Sequence, residues 1–362
     1  MEEHTHPVAK VLAILFSILF VITGVIAILM FNATKLAFDP GMYKQALSST
    51  GIYERIPELF GEQIVYSLNR NPCIQDPTTC TEEQLNATPS YLFSIDVPTW
   101  ETIIARFIDQ DWFQEQTESS IDQIIEFLVT PGETLSLDVS LVELKARIRG
   151  EEGFQAVMTL INSLEPCASG DMLNLLNAAL GFDDLSSVPL CRPSESVLTL
   201  GESAIRESLQ VVADKLPDNT STLVEKALPG IENGLAATQR TLQLLRTLTQ
   251  LSPIIPLCLL LLITLLVVRS LKGFLKWWGI PLVSVALITF ICSLLFTPLI
   301  RSIVTTRVNT VGLAPGWIEV IRAVILQASE SFRNSLNLQA GLLLAAGCLM
   351  LLASALIRPR SN

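Results

Sequence analysis

Four long apolar runs interrupt a chain whose remaining hydrophobic residues recur mostly in a helical rhythm. Residues 11–31 hold 21 positions without a charge, and residues 251–268, 280–299 and 340–357 hold 18, 20 and 18. At about 1.5 Å per helical residue each run can cross, or nearly cross, a hydrocarbon core of about 30 Å. Four transmembrane helices are predicted. The first run is longer than the roughly 7–15 residues of a signal-peptide core, and no small-x-small cleavage site follows in FNATKLAF, so an uncleaved signal anchor is expected.

Between the first two runs lie residues 32–250, long enough for a core of their own. In PTWETIIARFI the apolar Trp100, Ile103, Ile104, Phe107 and Ile108 repeat at helical offsets, with Pro98 placed where a first turn tolerates proline. DWFQEQTESSIDQIIEFLV reads as a helix with an N-cap box from Asp111 to Gln114 and a stripe of Ile121, Ile124, Ile125 and Leu128. Further helices are expected near 41–48, 53–69, 141–149, 152–164, 170–180, 195–215 and 231–250. TLSLDVS, residues 134–140, alternates like a strand, which alone makes no sheet. The last helix stays amphipathic up to Pro253 and Pro256, which suggests a mechanical link into the second span. The fold class is therefore mainly α: four transmembrane helices plus a large extracytoplasmic α-helical domain inserted between the first and second.

Charge sets the expected topology. Residues 269–279 carry Arg269, Lys272 and Lys276 with no acid, and Arg358 and Arg360 follow the fourth run. Basic residues near span ends stay on the cytoplasmic side, which places both termini there, with Lys10 at the first boundary. The expected order is a cytoplasmic tail 1–10, span 11–31, outer domain 32–250, span 251–268, basic inner loop 269–279 and span 280–299. A second outer loop 300–339 with an amphipathic helix, span 340–357 and tail 358–362 complete it. That second loop carries Arg301, Arg307, Arg322 and Arg333 against Glu319 and Glu330, but is far longer than the inner one. Its PGWIEVIRAVI repeats the offsets of PTWETIIARFI, as any proline-started amphipathic helix would, and is expected on the membrane surface or against the large domain.

Residues 32–250 hold 14 Lys and Arg against 31 Asp and Glu, a net of −17; the rest holds 10 against 4, a net of +6, together the −11 of the whole chain. An acidic surface of this kind argues against nucleic acid and against docking on anionic lipid. His4 and His6 are the chain's two histidines, both in the first tail, so the large domain has none for a Ser–His or Cys–His nucleophile or a His-bearing zinc site. Asp109–Asp111 and Asp183–Asp184 are close carboxylates, yet no EF-hand, P-loop, GxSxG or strand-to-helix GxGxxG accompanies them. No catalytic, cofactor or metal site is expected, and the chain reads as a non-enzyme.

The expected spans contain uncharged polar groups only: Ser17, Thr23, Ser252, Thr264, Ser284, Thr289, Ser293, Thr297 and Ser354. These can bond to carbonyls of their own helix, which disfavours ion-coupled transport. Gly24, Gly341 and Gly347 are expected to permit close helix packing. Cys258, Cys292 and Cys348 lie in spans, where a thiol behaves as a small buried apolar group. Cys73, Cys80, Cys167 and Cys191 form an even set in the large domain; sequence proximity favours Cys73–Cys80 with Cys167–Cys191, and a four-thiolate zinc site is the alternative. The sequons at Asn32, Asn86 and Asn219 matter only in a eukaryotic secretory pathway.

FDPGMYKQALSSTGIYERIPELFGEQI, DWFQEQTESSIDQIIEFL, SLDVSLVELKARIRG and EPC…VPLCRP resemble segments of bacterial multi-pass membrane proteins that carry no established activity. That resemblance covers most of the chain and implies a bacterial cell membrane. The span order also resembles FtsX/MacB-type subunits, which work with a cytoplasmic ATPase, although the inner connection here is short for a coupling helix. The expected function is binding, scaffolding or envelope organisation, with the lipid bilayer and an extracytoplasmic protein, peptide or glycan as partners. Association into a homo-oligomer remains open, and the alternative is a mechanotransmission subunit.

Overall fold

The computed structural model describes residues 7–70, 92, 94–131, 137–168, 191–220, 231–268, 270–307 and 312–357. They form twelve helices: α1 (Pro7–Ala37), α2 (Pro40–Ser49), α3 (Ile52–Asn69), α4 (Val97–Phe107), α5 (Gln110–Val129), α6 (Val142–Arg149), α7 (Glu151–Ser163), α8 (Glu195–Lys215), α9 (Ile231–Leu251), α10 (Ile254–Val267), α11 (Leu271–Arg307) and α12 (Pro315–Leu356). Four stretches, 10–38, 239–267, 271–306 and 315–356, are long and apolar enough to cross a membrane. The chain fits a multi-pass, mainly helical membrane protein.

Local chemistry explains where the shorter helices begin. Asp39, Asp96 and Asp109 each stand in extended backbone before a helix and accept from amides of its first turn: Gly41 at 3.0 Å, Thr99 at 3.1 Å, and Asp111 and Trp112 at 3.0 and 3.3 Å. Pro40 and Pro98 occupy first-turn positions that need no amide. The cap of α5 is thus Asp109 rather than the expected Asp111, because the helix starts one residue earlier and Asp111 falls in its first turn. Gly51, at φ 61°, supplies the left-handed turn between α2 and α3.

Two cores result. One lies among α1, α10 and α11, where Phe20, Val25, Leu259, Leu260, Ile263 and Val285 are buried and Trp277 and Trp278 pack against them. Trp278 Nε1 donates to Thr264 Oγ1 at 2.8 Å, tying α11 to α10. The other joins α3 to α12 through Ile52, Tyr53, Ile56, Leu59 and Val320, with Phe60, Phe113 and Trp317 at its edge. Ile56 and Leu59 are wholly enclosed, and such burial contributes about 1.5–3 kcal/mol per side chain. Around α3, helices α4 and α5 pack on it, α7 on α4, and α6 and α8 on α7.

Several helices outrun the apolar runs. The basic segment expected as an inner loop is helical from Leu271, since neither Gly273 nor Gly279 breaks a helix that packing supports. Lys272 and Lys276 therefore ride on the first turns of α11, while Arg269, Arg358 and Arg360 lie outside the described residues. Most of the expected second outer loop is helical, because α11 continues to Arg307 and α12 runs 42 residues from Pro315 without a break. The expected second span is shorter as a helix: α9 ends at Leu251, and α10 begins only at Ile254, after Pro253. The strand expected at 134–140 leaves one isolated bridge, Ser140 to Asn219, among the described residues. The helix expected at 170–180 lies outside them.

Candidate functional site

The longest helix begins inside the core it does not share with the other spans. A helix start leaves its first amides without partners, and α3 supplies them: Glu62 Oε2 accepts from Gly316 N at 3.0 Å and Gln63 Oε1 from Ala314 N at 2.9 Å. A carboxylate there also meets the positive end of the helix dipole. A Cβ on Gly316 would collide with the Glu62 carboxylate and lie 2.8 Å from Leu59 Cδ2, so any side chain there displaces the ends of both. Beside it, Phe60 takes Trp317 edge-on at 5.5 Å and Phe113 at 6.3 Å. Arg55 bonds Glu58 at 3.1 Å and reaches Glu319 at 4.0 Å. The α4 start packs on α3 at Gly61, whose Cβ would stand 3.2 Å from Val97 O and 3.3 Å from Trp100 Cβ. The two proline-tryptophan helix starts thus meet one helix by different means, the small residue being on α3 in one joint and on α12 in the other.

About six turns along α12 the chain meets α1 in a buried polar cluster. Asn32, 2% exposed, donates from Nδ2 to Ile28 O and to Gln339 Oε1, both at 2.8 Å. Its Oδ1 accepts from Ser335 Oγ at 2.6 Å and Gln339 Nε2 at 3.1 Å. Between α11 and α12, Ser293 Oγ donates to Asn337 Oδ1 at 2.7 Å. Thr289 and Thr297 stand one turn to either side of Ser293; both are buried and neither hydroxyl has a partner among the described residues. Polar groups so enclosed hold their helices in one register, since sliding would strand them.

Next to Asn32 a cleft of about 380 Å³ opens where α1 hands over to α2. Lys35, Asp39, Gln45, Ser331 and Ser335 line it, and Lys35 and Asp39 also border a second cleft of about 350 Å³ that reaches Arg246 and Gln250 of α9. Arg246 sits over the Phe38 ring at 5.8 Å. This junction joins α1, α2, α9 and α12. Its lining includes neither histidine nor cysteine, and it offers hydrogen bonding and charges of both signs to a small polar group or water.

The residues singled out from sequence fall elsewhere. Cys167 and Cys191 lie at disulfide distance, Cα atoms 4.9 Å apart, beside a short parallel pairing of Pro166 with Arg192. Cys73 and Cys80 are outside the described residues, as are Asp183, Asp184 and both histidines. Asp109 is a helix cap that also takes Arg147 Nη2 at 2.9 Å, so it is fully engaged in structure. Cys258 and Cys348, expected to be buried, face outward on their helices, while Cys292 is half-buried. Thr23, Thr264 and Ser284 bond to their own helix as expected, at 2.8, 2.8 and 3.0 Å. Gly347 permits close packing, its Cβ position being 3.2 Å from Gly279 O and 2.7 Å from Val283 Cγ2, and Gly24 does so against Val285 at 3.2 Å. Gly341 does not, since nothing lies within 4 Å.

Sequence reasoning missed Asn32, Ser335, Asn337 and Gln339 because spans drawn by hydropathy stop at 31 and restart at 340. The signal was present in SLNLQ, where Ser335 and Gln339 stand four apart and so share a helix face. Among the described residues no group of three or more His, Cys, Asp or Glu is placed to hold a metal ion. Comparison with protein-family models, curated proteins and solved structures gives no match.

Proposed function

We propose that the chain is a non-enzymatic membrane scaffold, which presents an acidic helical domain outside the cell membrane for a protein, peptide or glycan partner. Residues 32–250 are the outer part and both termini are cytoplasmic. The observation that carries this reading is the seating of α12: its first turn belongs to the α3 core and its last turns to the span bundle. At 42 residues it is about 63 Å long, roughly twice a hydrocarbon core, so a domain built on it is held at a fixed height and angle. Orientation rests on Lys10, Lys272 and Lys276 at one end of the bundle, with Arg269, Arg358 and Arg360 adjoining in sequence. The resemblance to bacterial multi-pass proteins supports a bacterial cell membrane.

The same rigid helix suits a mechanotransmission subunit of the FtsX/MacB kind, so partners decide between the two. Purification from membranes in mild detergent is expected to bring down an extracytoplasmic partner without a nucleotide-binding subunit. A stoichiometric cytoplasmic ATPase would overturn the scaffold reading in favour of transmission. Reporter fusions after residues 130 and 362 test the orientation, with outside and inside signals expected in that order.

A further inference from the structure

The bundle carries a different feature away from the polar junction. Between α1 and α11 runs a cavity of about 710 Å³ lined by Ile14, Ile18, Ile22, Trp277, Ile280 and Ile288. Pro281 lies in its wall and cannot donate to the Trp277 carbonyl, which leaves that acceptor without its usual helical partner. Ser17 also lines it, with a buried hydroxyl that has no partner among the described residues. The wall is thus apolar along its length, with one spare acceptor and one spare donor.

Charge and length identify what fits. Lys276 borders one end, and Lys10 stands four residues before Ile14, on the same face of α1. No acidic residue occurs in 7–38 or 252–318, so nothing in either helix neutralises these two ammonium groups. From Lys10 to Ile22, and from Lys276 to Ile288, is twelve residues or about 18 Å. That is close to one leaflet, half of a core of about 30 Å, and too short for a transmembrane partner helix.

We infer that this groove binds one anionic phospholipid, its phosphate held by Lys10 and Lys276 and an acyl chain lying along the isoleucines. The glycerol ester region falls near Ser17, seven residues or about 10 Å from Lys10, where the free hydroxyl can donate to an ester carbonyl. The acidic domain is not involved; the two cations belong to the bundle's opposite end.

The test uses the full chain in mild detergent, mixed with phosphatidylglycerol or phosphatidylcholine of equal chain length, with bound lipid counted by native mass spectrometry. Phosphatidylglycerol is expected to be retained about tenfold over phosphatidylcholine. Lys10→Gln with Lys276→Gln removes that preference, whereas Lys215→Gln with Arg240→Gln, which deletes the same charge elsewhere, preserves it. Ser284→Phe fills the groove and is expected to lower retention of both lipids. Equal retention of the two lipids by the wild type would overturn the inference. So would full retention by the Lys10/Lys276 variant, or a lipid-independent dimer abolished by Ser284→Phe, which would give the groove to a second copy. The lysine pair is exposed, so its result stands even where the phenylalanine variant fails to fold.

Discussion

Replacing Gly316 by alanine separates the proposed joint from an ordinary helix start. On an exposed helical position the change stabilises by up to about 1 kcal/mol, through propensity alone. Here the added methyl collides with the Glu62 carboxylate and crowds Leu59 Cδ2 at 2.8 Å. Moving Glu62 away sacrifices its 3.0 Å bond to Gly316 N, a cap-type loss of about 0.5–2 kcal/mol. Crowding a packed core adds about 1–3 kcal/mol. After the propensity gain, the net expectation is a destabilisation of about 0.5–4 kcal/mol. Reversible unfolding in mixed micelles measures it for Gly316→Ala, Glu62→Ala and the double variant. With Glu62 shortened the methyl gains space, so the cost of Gly316→Ala is expected to fall by at least about 1 kcal/mol in that background. A stabilising Gly316→Ala, or the same cost in both backgrounds, refutes the joint.

Asn32→Leu strands Ser335 and Gln339 and is expected to cost about 1–3 kcal/mol in the same assay, while adding Gln339→Leu recovers part of the loss because both partners are then apolar. Gly347→Val is expected to separate α11 from α12, seen as a lower unfolding midpoint, whereas Gly341→Ala, with nothing within 4 Å, leaves the midpoint unchanged or raises it. Glu151 is held below its ordinary value of 4.5 by hydrogen bonds from Gln155 and Arg206, and Asp218 below 3.8 by its bond to Lys145. A depressed folded value means that these links are complete above the ordinary value and disappear as pH falls through the folded one, so proteolysis within α8 is expected to be unchanged between pH 5 and 8 and to rise modestly only below pH 3.8, the pairs being exposed. Inserting Gly-Gly after Ser252 is expected to be tolerated, since α9 and α10 are already separate there, but the same insertion after Leu326 turns the rest of α12 by about 200° and is expected to abolish folding, read as loss of the cooperative unfolding transition.

Helix positions were legible in the sequence because local signals agreed with packing. Proline, aspartate and apolar spacing place α2 to α8 within about two residues of expectation, and four apolar runs mark the spans. What hydropathy hid was continuity. It measures preference for lipid, and α12 runs from the α3 core to the apolar bundle as one helix, so Arg322 reads as part of a separate amphipathic helix and Arg333 as loop although both stand on α12. The polar cluster was hidden for the same reason, since Asn32 looks like the residue after a span until Ser335 and Gln339 are brought against it. The cap of α12 was not legible at all: Glu62 and Gln63 lie over 250 positions away, and nothing near 315 names them.

The position of the break decides which connection transmits geometry. Besides the link between α11 and α12, three connections among the described residues join the α3 assembly to the spans: α1 to α2 at Phe38–Asp39, α9 to α10 at Ser252–Pro253, and α12 itself. In the first two the helical hydrogen-bond ladder is interrupted between one helix and the next, so each can bend by giving up fewer backbone bonds than α12. In α12 any bend must break helical hydrogen bonds or withdraw Val320 and Trp317 from α3, since Phe60 and Glu62 grip its first turns and Asn32 and Ser293 its middle. A load applied to the acidic helices therefore reaches the bundle as displacement of α12 against α1 and α11. That displacement is opposed by the buried polar contacts, which shear in register or not at all. Scaffold and transmitter differ in what moves this joint, and the joint itself is common to both.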